Sequence, residues 1–215
     1  MKAIPREAGR ITYSTNIRKL KLLHLSDIQK AVVIGSILGD GNLNSNWSRT
    51  NYRLKISHSV KQSDYLLWKY EVLKDFVLTK PNVYEKTKSI SFRTISHNEL
   101  TQFYKLFYPL GKKVIPRNIK ELINNPLTMA IWFMDDGNAI KRKSILCGYH
   151  LNSQSFTLSE NKLLSECLYT LYKIESVVEL NNNNYRLAIW KQDSRRKFRD
   201  LVTSYVIDSM KYKIG

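Results

Sequence analysis

The stretch AIWFMDDG, residues 130–137, is an apolar run that ends in two aspartates and a glycine. A second copy of this pattern, VVIGSILGDG, covers residues 32–41. Each copy continues into Asp-Gly-Asn, so Asp40 and Asp136 stand at matching places in the chain. Two apolar runs with the same polar ending indicate an internal repeat.

The repeat extends beyond these two motifs. A hydroxyl and amide run follows each motif, ISHS at 56–59 and LNSQS at 151–155, with His58 and Gln154 at equal distances from their aspartates. Each half then carries helix-like and strand-like segments, and each closes near a lysine, in KKVIP (112–116) and MKYK (210–213). We infer a duplicated unit of roughly 90 to 100 residues, which is too long for a solenoid repeat.

Apolar periodicity predicts the secondary structure of the unit. It places helices at 26–39, 62–78 and 99–108 and strands at 52–57 and 89–95. Each half is expected to run α-β-β-α-β-β-α, an α+β fold with helices on one face of an antiparallel sheet. We divide the chain into a basic N-terminal arm (1–24), a first half (25–124) and a second half (125–215).

The position of the aspartates favours a metal site. A helix C-terminus carries partial negative charge, so a carboxylate there is unfavourable unless a divalent cation reverses the repulsion. The alternative is a plain Asp-Gly turn, but two such cases in a repeat favour two helix ends that share metal ions. Ala31, Gly35 and Gly39 would let two helix backbones approach closely, although small residues also occur where a helix packs on a sheet.

Charge points to a polyanion partner. The chain has 35 Lys and Arg against 18 Asp and Glu, a net charge of +17, and these residues are spread along its length. We expect nucleic acid, the alternative being a protein with a merely basic surface. The first 24 residues form either an arm that contacts phosphate or a weak transit peptide.

Other classes of protein are disfavoured. The two cysteines, Cys147 and Cys167, fit no zinc pattern and are expected as free thiols. No run of 18 apolar residues is present, so no membrane span is expected. The abundance of Asn, Lys, Ile and Tyr suggests an AT-rich gene, as in an organelle genome.

VIGSILGDG (33–41) and MAIWFMDDG (129–137) resemble the two motifs of the LAGLIDADG homing endonucleases. LNSQSFT (151–157), KKVIP and MKYK support this resemblance. The chain is similar to the single-chain, two-motif branch of the family, which is typified by mitochondrial intron-encoded endonucleases. The similarity extends from about residue 26 to the end. The resemblance implies two pseudo-symmetric halves that form a DNA-binding saddle of antiparallel sheets, with the two motif helices packed at the interface.

The resemblance also implies roles for residues of the motifs. Asp40 and Asp136 would be the catalytic acids that bind Mg²⁺, with Mn²⁺ able to substitute, and the backbone carbonyls of Gly39 and Asp135 would be further metal ligands. Asp135 is an alternative to Asp136 in the metal role. Lys113 and Lys213 match the catalytic lysines, with Lys112 and Lys211 as nearby alternatives. Ile131 stands where a small residue is usual, so the second helix is expected to use the glycine contact incompletely.

Basic and polar side chains of the strands are the candidates for DNA contact, although a solvated strand face is the alternative for each. They are Arg53, Lys55, His58, Arg93, Gln154, Arg186 and Lys191. Arg and Lys can pair with guanine or phosphate. Because the two halves differ in sequence, the target should be long and asymmetric.

The sequence therefore predicts a site-specific double-strand DNA homing endonuclease that hydrolyses phosphodiesters with Mg²⁺. Two alternatives stay open, an RNA maturase that binds intron RNA and a DNA-binding protein that has lost catalysis. We expect a monomer without a membrane partner. The expected compartment is an organelle matrix, mitochondrion before plastid, with the bacterial cytoplasm as the alternative.

Overall fold

The computed structural model describes residues 15–215. Most of the predicted basic arm, residues 1–14, lies outside the described residues. The rest of the arm begins with helix α1 (Thr15–Leu20), which carries Arg18 and Lys19 in its last turn.

The described chain forms two successive units with the same order of elements, as predicted. The first unit contains α2 (Asp27–Leu38), β1 (Asn42–Ser45), β2 (Tyr52–Ser59), α3 (Ser63–Leu73), β3 (Asn82–Tyr84), β4 (Ser89–Arg93) and α4 (Asn98–Phe107). A short helix α5 (Ile119–Leu122) follows. The second unit contains α6 (Pro126–Asp136), β5 (Gly137–Arg142), β6 (Ile145–Leu151), α7 (Leu158–Tyr172), β7 (Val177–Asn181), β8 (Asn184–Ile189) and α8 (Gln192–Thr203).

Each unit holds one four-stranded antiparallel sheet. The strand orders are β1-β2-β4-β3 and β5-β6-β8-β7, which are equivalent positions in the repeat. One face of each sheet packs on helices, because strand residues such as Leu54, Ile56, Leu187 and Ile189 are buried. The observed architecture is the expected α+β fold of two pseudo-symmetric halves.

The two motif helices, α2 and α6, pack against each other at the centre of the molecule. α2 starts with a capping box between Ser26 and Gln29, and α6 starts at Asn125 with Pro126 in its first turn. Residues 31–38 of α2 are all buried. Burial around the whole helix is expected, because α2 packs against α6, α3 and the first sheet.

Small residues set the distance between these helices. A Cβ added to Gly35 would lie 2.7 Å from the backbone oxygen of Thr128 and from the Cβ of Ile131. A Cβ on Gly39 would lie 2.3 Å from the Cβ of Asp135. The predicted close approach is therefore present, and Ile131 contacts the small Gly35 across the interface.

The strand register corrects one detail of the repeat. Asn42 pairs with Lys55, and the matching Asn138 pairs with His150, so Lys55 and His150 correspond. Further along in the same register, His58 corresponds to Ser153, and the expected match with Gln154 is wrong. The β5–β6 hairpin closes through a tight turn at 143–144, which is shorter than the connection between β1 and β2, and the register shift between Ile140 and Lys141 restores only part of the difference. The second half is therefore one residue shorter between Asn138 and His150 than the first is between Asn42 and Lys55.

Within residues 15–215, no helix is long and apolar enough to cross a membrane.

Candidate functional site

Asp40 and Asp136 lie at the C-terminal ends of the paired helices. Asp40 follows the C-cap Gly39 of α2, and Asp136 is the last residue of α6. The charge of Asp40 helps to raise the pKa of Asp136. The packing of α2 on α6 therefore brings together two carboxylates that are far apart in sequence.

The carboxylate of Asp40 has a histidine partner. Oδ2 of Asp40 lies 3.4 Å from Nδ1 of His58, while 44% of the Asp40 side chain is exposed. Burial raises the pKa of Asp40, but the hydrogen bond and charge of His58, with help from Lys69 and Lys213, outweigh it and lower that pKa. Asp40 is thus held in its ionised form.

Asp136 lies in a more negative environment. Burial and the neighbouring charges of Asp40 and Asp135 raise its pKa to about 7, and Lys113 and Lys213 oppose this rise only in part. The two matching aspartates are therefore not equivalent. An added positive charge at this end of α6 would stabilise the ionised carboxylate.

A lysine lies at each helix end. Nζ of Lys113 donates to the backbone oxygen of Gly39 at 3.1 Å, and Nζ of Lys213 donates to the backbone oxygen of Asp135 at 2.9 Å. Burial lowers the pKa of both lysines, and the surrounding aspartates oppose that shift. The alternative lysines lie elsewhere: Lys112 is exposed, and Lys211 pairs with Asp208 at 2.6 Å.

The side chain of Asp135 is buried and already has partners. Its Oδ1 lies 2.6 Å from Nζ of Lys69 and accepts a hydrogen bond from Tyr65 Oη at 2.8 Å, while Oδ2 accepts one from the backbone N–H of Asp40 at 3.3 Å. Ligand-type atoms of Asp40, His58 and Asp135 lie within 4.8 Å of one another. The ammonium group of Lys69 already neutralises the Asp135 carboxylate, so the carboxylate of Asp136 is the more available of the two for a metal ion.

The groups at the helix ends suit a hard divalent cation. They are carboxylate oxygens of Asp40 and Asp136 and backbone oxygens of Gly39 and Asp135, the donor type that Mg²⁺ accepts. Burial and the charges of Asp40 and Asp135 raise the pKa of Asp136, and a bound cation would offset both causes. These residues form a candidate acidic metal site that fits Mg²⁺.

The face of the first sheet that is turned away from the helices is basic. Arg53, Lys55 and Arg93 share this face, and Lys55 and Arg93 are direct neighbours on β2 and β4. Burial and the charge of Arg93 lower the pKa of Arg53. Like charges directly opposite each other destabilise a sheet, so this arrangement favours an anionic ligand over the face.

The corresponding face of the second sheet contains a carboxylate. Glu179 pairs with Arg186 across β7 and β8 at 3.5 Å, accepts a hydrogen bond from Nε1 of Trp190 at 2.6 Å and lies 3.3 Å from Nε2 of His150. Burial and the charge of Arg186 lower the pKa of His150. This face is therefore less positive and more internally paired than the first.

Comparison with known proteins identifies the family. The model of the LAGLIDADG DNA endonuclease family matches residues 30–197. The chain belongs to the LAGLIDADG DNA endonuclease family. The resemblance inferred from the two motifs is thus confirmed.

Two curated relatives and one solved structure indicate the branch of the LAGLIDADG family. DNA endonuclease I-ChuI of Chlamydomonas applanata is 25% identical over 90% of this chain and 97% of its own length. Cytochrome b mRNA maturase bI2 of Debaryomyces hansenii is 28% identical over 86% of this chain and 72% of its own. The homing endonuclease I-WcaI, solved bound to its DNA recognition sequence, superposes with a TM-score of 0.85 at 25% identity, over 97% of this chain and 96% of that one.

The structure places most of the LAGLIDADG site residues predicted from sequence into two groups. Asp40, Asp136, Gly39, Asp135, Lys113 and Lys213 gather at the helix ends. Arg53, Lys55, Arg93 and Arg186 lie on the open sheet faces. Gln154 follows β6 and donates to Asn152 at 3.4 Å, and Lys191 caps α8 and pairs with Glu175.

His58 does not lie on the open face of the first sheet, where Arg53, Lys55 and Arg93 lie. Only 2% of its side chain is exposed, and it shares the inner face of β2 with Leu54 and Ile56. Side chains alternate along a strand, so this register directs His58 inward, towards Asp40. The structure therefore places His58 beside Asp40 and not among the side chains of the open face.

Sequence reasoning missed Lys69, Tyr65 and Glu179. Lys69 lies on the apolar stripe of α3, between the buried Tyr65 and Leu73. A lysine on such a stripe needs an internal anion, since charged groups are almost never buried unpaired. Its position on the apolar stripe could therefore have identified Lys69 from the sequence. Glu179 is an isolated acid in a strand, and its partners depend on strand pairing.

Proposed function

We propose that this LAGLIDADG chain is a site-specific endonuclease that cleaves both strands of a long, asymmetric DNA target with Mg²⁺. The observation that carries the proposal is the pairing of Asp40 and Asp136 at two adjacent helix ends, each end contacted by one lysine. One acid and one lysine per half match the two phosphodiester bonds, one in each strand, that a double-strand break requires.

The relatives support a DNA substrate. The similar structure of I-WcaI is a complex with its DNA recognition sequence, and I-ChuI is named as a DNA endonuclease. The net charge of +17 and the basic open face of the first sheet fit the same substrate.

The chemistry assigned to the centre is hydrolysis by water. Bound Mg²⁺ would supply a Lewis acid that offsets the charge of the scissile phosphate and of the leaving oxygen. Asp40 and Asp136, with the carbonyls of Gly39 and Asp135, would hold it. In each strand one P–O bond forms to water and one P–O bond to the DNA breaks, while the proton of water leaves to solvent and the leaving oxygen gains one.

Lys113 and Lys213 would position the reacting groups. Both ammonium groups are already oriented by backbone oxygens at the helix ends, so little reorganisation is needed when a phosphate arrives. Oriented cations stabilise developing phosphate charge in a partly buried site. We therefore assign each lysine to the strand that its own half cleaves.

Recognition is assigned to the open faces of the sheets. Arg53, Lys55 and Arg93 would contact bases or phosphates of one half-site, and Arg186 those of the other. Gln154 lies at the end of β6, beside Asn152, where it would contact the DNA near the cleaved bond. Lys191, exposed at the start of α8, would contact phosphate at the rim.

The test is selection of cleaved duplexes from a large randomised DNA library by the purified protein, with Mg²⁺ or with EDTA. We expect one recurrent asymmetric target, cut on both strands only with Mg²⁺, and no cutting by the Asp40→Asn/Asp136→Asn double variant. Cutting that survives in the double variant, or cutting without sequence preference, would contradict the proposal.

An RNA maturase is the second candidate. It is favoured by the relative named as a cytochrome b mRNA maturase, which is similar over most of this chain. The maturase predicts tight binding of an intron transcript and no cutting of any duplex in the library. A DNA-binding protein that has lost catalysis fits less well, because both aspartates and both lysines are in place.

We further propose that the chain acts as a monomer, since one chain supplies both motifs and both sheets. An organelle matrix, mitochondrial before plastid, remains the proposed compartment, with the bacterial cytoplasm as the alternative. The Asn-, Lys- and Ile-rich composition supports the organelle assignment. Fractionation of the host cell would test it.

A further inference from the structure

A buried ion pair crosses from one half of the molecule to the other. Nζ of Lys69, on α3 of the first half, lies 2.6 Å from Oδ1 of Asp135, on α6 of the second half. Both side chains are 0% exposed. The pair lies within the protein beside the proposed DNA-cleaving centre.

Asp135 connects this pair to Asp40. Its second oxygen, Oδ2, accepts the backbone N–H of Asp40 at 3.3 Å, and its first accepts the hydroxyl of Tyr65 at 2.8 Å. His58 lies 3.5 Å from Lys69 Nζ, 3.8 Å from Asp135 and 3.4 Å from the Asp40 carboxylate. The main chain and the side chain of Asp40 are thus both held from the interior.

The matching positions around Asp136 carry different residues. Gly39 corresponds to Asp135 in the two motifs, and Ser153 corresponds to His58 by strand register. At equal distances beyond these, Leu164 corresponds to Lys69 and Glu160 to Tyr65. Leu164 is fully buried, and Glu160 caps α7 and binds the backbone N–H of Ile115. Among residues 15–215, Asp136 therefore has no counterpart of the Lys69–Asp135 support.

Stability alone does not account for the pair. Replacing a buried ion pair by well-packed apolar residues is often neutral or stabilising. The matching positions, Leu164 in the second half and Gly39 in the first, show that Leu and Gly fill the same places in this fold. A charge pair that the fold does not need, directed at one of two catalytic aspartates, indicates a role in positioning that aspartate.

We propose that Lys69 and Asp135 are positioning residues that pre-organise Asp40, so that the strand served by Asp40 is cut before the strand served by Asp136. This inference rests on the proposed endonuclease function. It makes the order of cleavage a property of the protein and not only of the DNA sequence.

The experiment measures strand-specific rates on the selected target duplex, with a different label on each strand. The strand nicked by the Asp136→Asn variant identifies the one served by Asp40. The wild type should cut that strand first. The Lys69→Leu/Asp135→Gly variant copies the matching residues Leu164 and Gly39 and leaves no unpaired buried charge. It should cut this strand about 10- to 100-fold more slowly and change the rate on the other strand much less, because Asp135 contacts Asp40 directly and acts on Asp136 only through its charge.

Two further variants serve as controls for the double variant. Tyr65→Phe removes one hydroxyl without changing the packing and should slow the same strand by a smaller factor, which keeps the test valid if the double variant does not fold. Lys74→Leu/Glu71→Gly removes an exposed lysine–carboxylate pair on the outside of the first half and should leave both strand rates unchanged.

The outcomes distinguish failure of the proposed endonuclease function from failure of the proposed positioning role. If the wild type cuts no DNA with Mg²⁺, the proposed function fails and this inference with it. If the wild type cuts both strands but cuts the Asp136 strand first, the inference alone is overturned. The same holds if a folded double variant, or Tyr65→Phe in its place, slows both strands equally or slows neither.

Discussion

At the scale of single residues, Asp40 and Asp136 occupy equivalent places in the repeat but differ in charge environment. His58 lowers the pKa of Asp40, whereas burial and two neighbouring aspartates raise that of Asp136 to about 7. The difference follows from two substitutions between the halves, Asp135 for Gly39 and His58 for Ser153. The first difference is visible in the two motifs, whereas the second could not be assigned before the strand register was known.

Asp136 should make the metal-free protein less stable as the pH rises. Its pKa is about 7 in the folded chain against an ordinary value of 3.8, so between these values the folded state holds the extra proton and stability falls with rising pH. The unfolding free energy of the wild type relative to Asp136→Asn, from urea denaturation with EDTA, should fall by up to about 4 kcal/mol from pH 4 to pH 8.

Mg²⁺ is the control for this prediction. A bound cation keeps the carboxylate ionised, so the dependence on pH should largely disappear when EDTA is replaced by Mg²⁺. Parallel pH profiles for the wild type and Asp136→Asn in EDTA would show that Asp136 titrates normally and would refute the prediction.

Lys113 and Lys213 should contribute to catalysis more than to binding. Each donates to a backbone oxygen at a helix end, so replacement by Met removes an oriented charge near the reacting phosphate. We expect cleavage about 100-fold slower for each variant, with DNA affinity changed only a few-fold. Lys112→Met and Lys211→Met, at the exposed neighbours, should cleave normally, and equal losses in all four variants would count against these assignments.

At the scale of elements, the sequence predicted the helices and strands well because apolar periodicity is strong in this chain. The helix expected at 26–39 is observed at Asp27–Leu38, and that expected at 99–108 at Asn98–Phe107. The register of the β5–β6 hairpin could not be predicted. It depends on a shift between Ile140 and Lys141 and on two residues with positive φ, Lys143 and Ser144, which carry no glycine signal.

The α2–α6 contact should be intolerant of a single methyl group. A Cβ on Gly35 would lie 2.7 Å from backbone oxygen of Thr128, which cannot move away without shifting α6. We expect Gly35→Ala to lower the free energy of unfolding by about 1–3 kcal/mol, measured by urea denaturation. In an exposed helix, Gly→Ala adds about 1 kcal/mol of stability. A Gly35→Ala variant that is more stable than the wild type would therefore mean that α2 and α6 are further apart than described.

The two sheets should differ in how strongly they depend on salt. Arg93 faces Lys55 without a carboxylate in the strand pairing, whereas Arg186 is already paired with Glu179. We expect Arg93→Ala to weaken binding of the selected target about tenfold and to reduce the slope of log affinity against log salt by about 1. Arg186→Ala should have a smaller effect on both. Lys162→Ala, exposed on α7, is the matched control and should bind like the wild type.

At the scale of the whole molecule, duplication explains the architecture and divergence explains the site. The repeat predicted two equivalent units around a helix pair, and the structure has them. The buried Lys69–Asp135 pair could not be predicted, because it joins residues of different halves and requires the packing of α3 against α6. Contacts that break the symmetry between the two halves are therefore the ones that require the structure.

The central claim, that Asp40 and Asp136 each serve one strand, is tested most directly by the strand that each single variant cuts. The measurement is strand-resolved cleavage of the selected target duplex by Asp40→Asn and by Asp136→Asn with Mg²⁺. Our account predicts that each variant nicks one strand and that the two variants nick opposite strands. Nicking of the same strand by both variants, or a double-strand break made by either one, would contradict it.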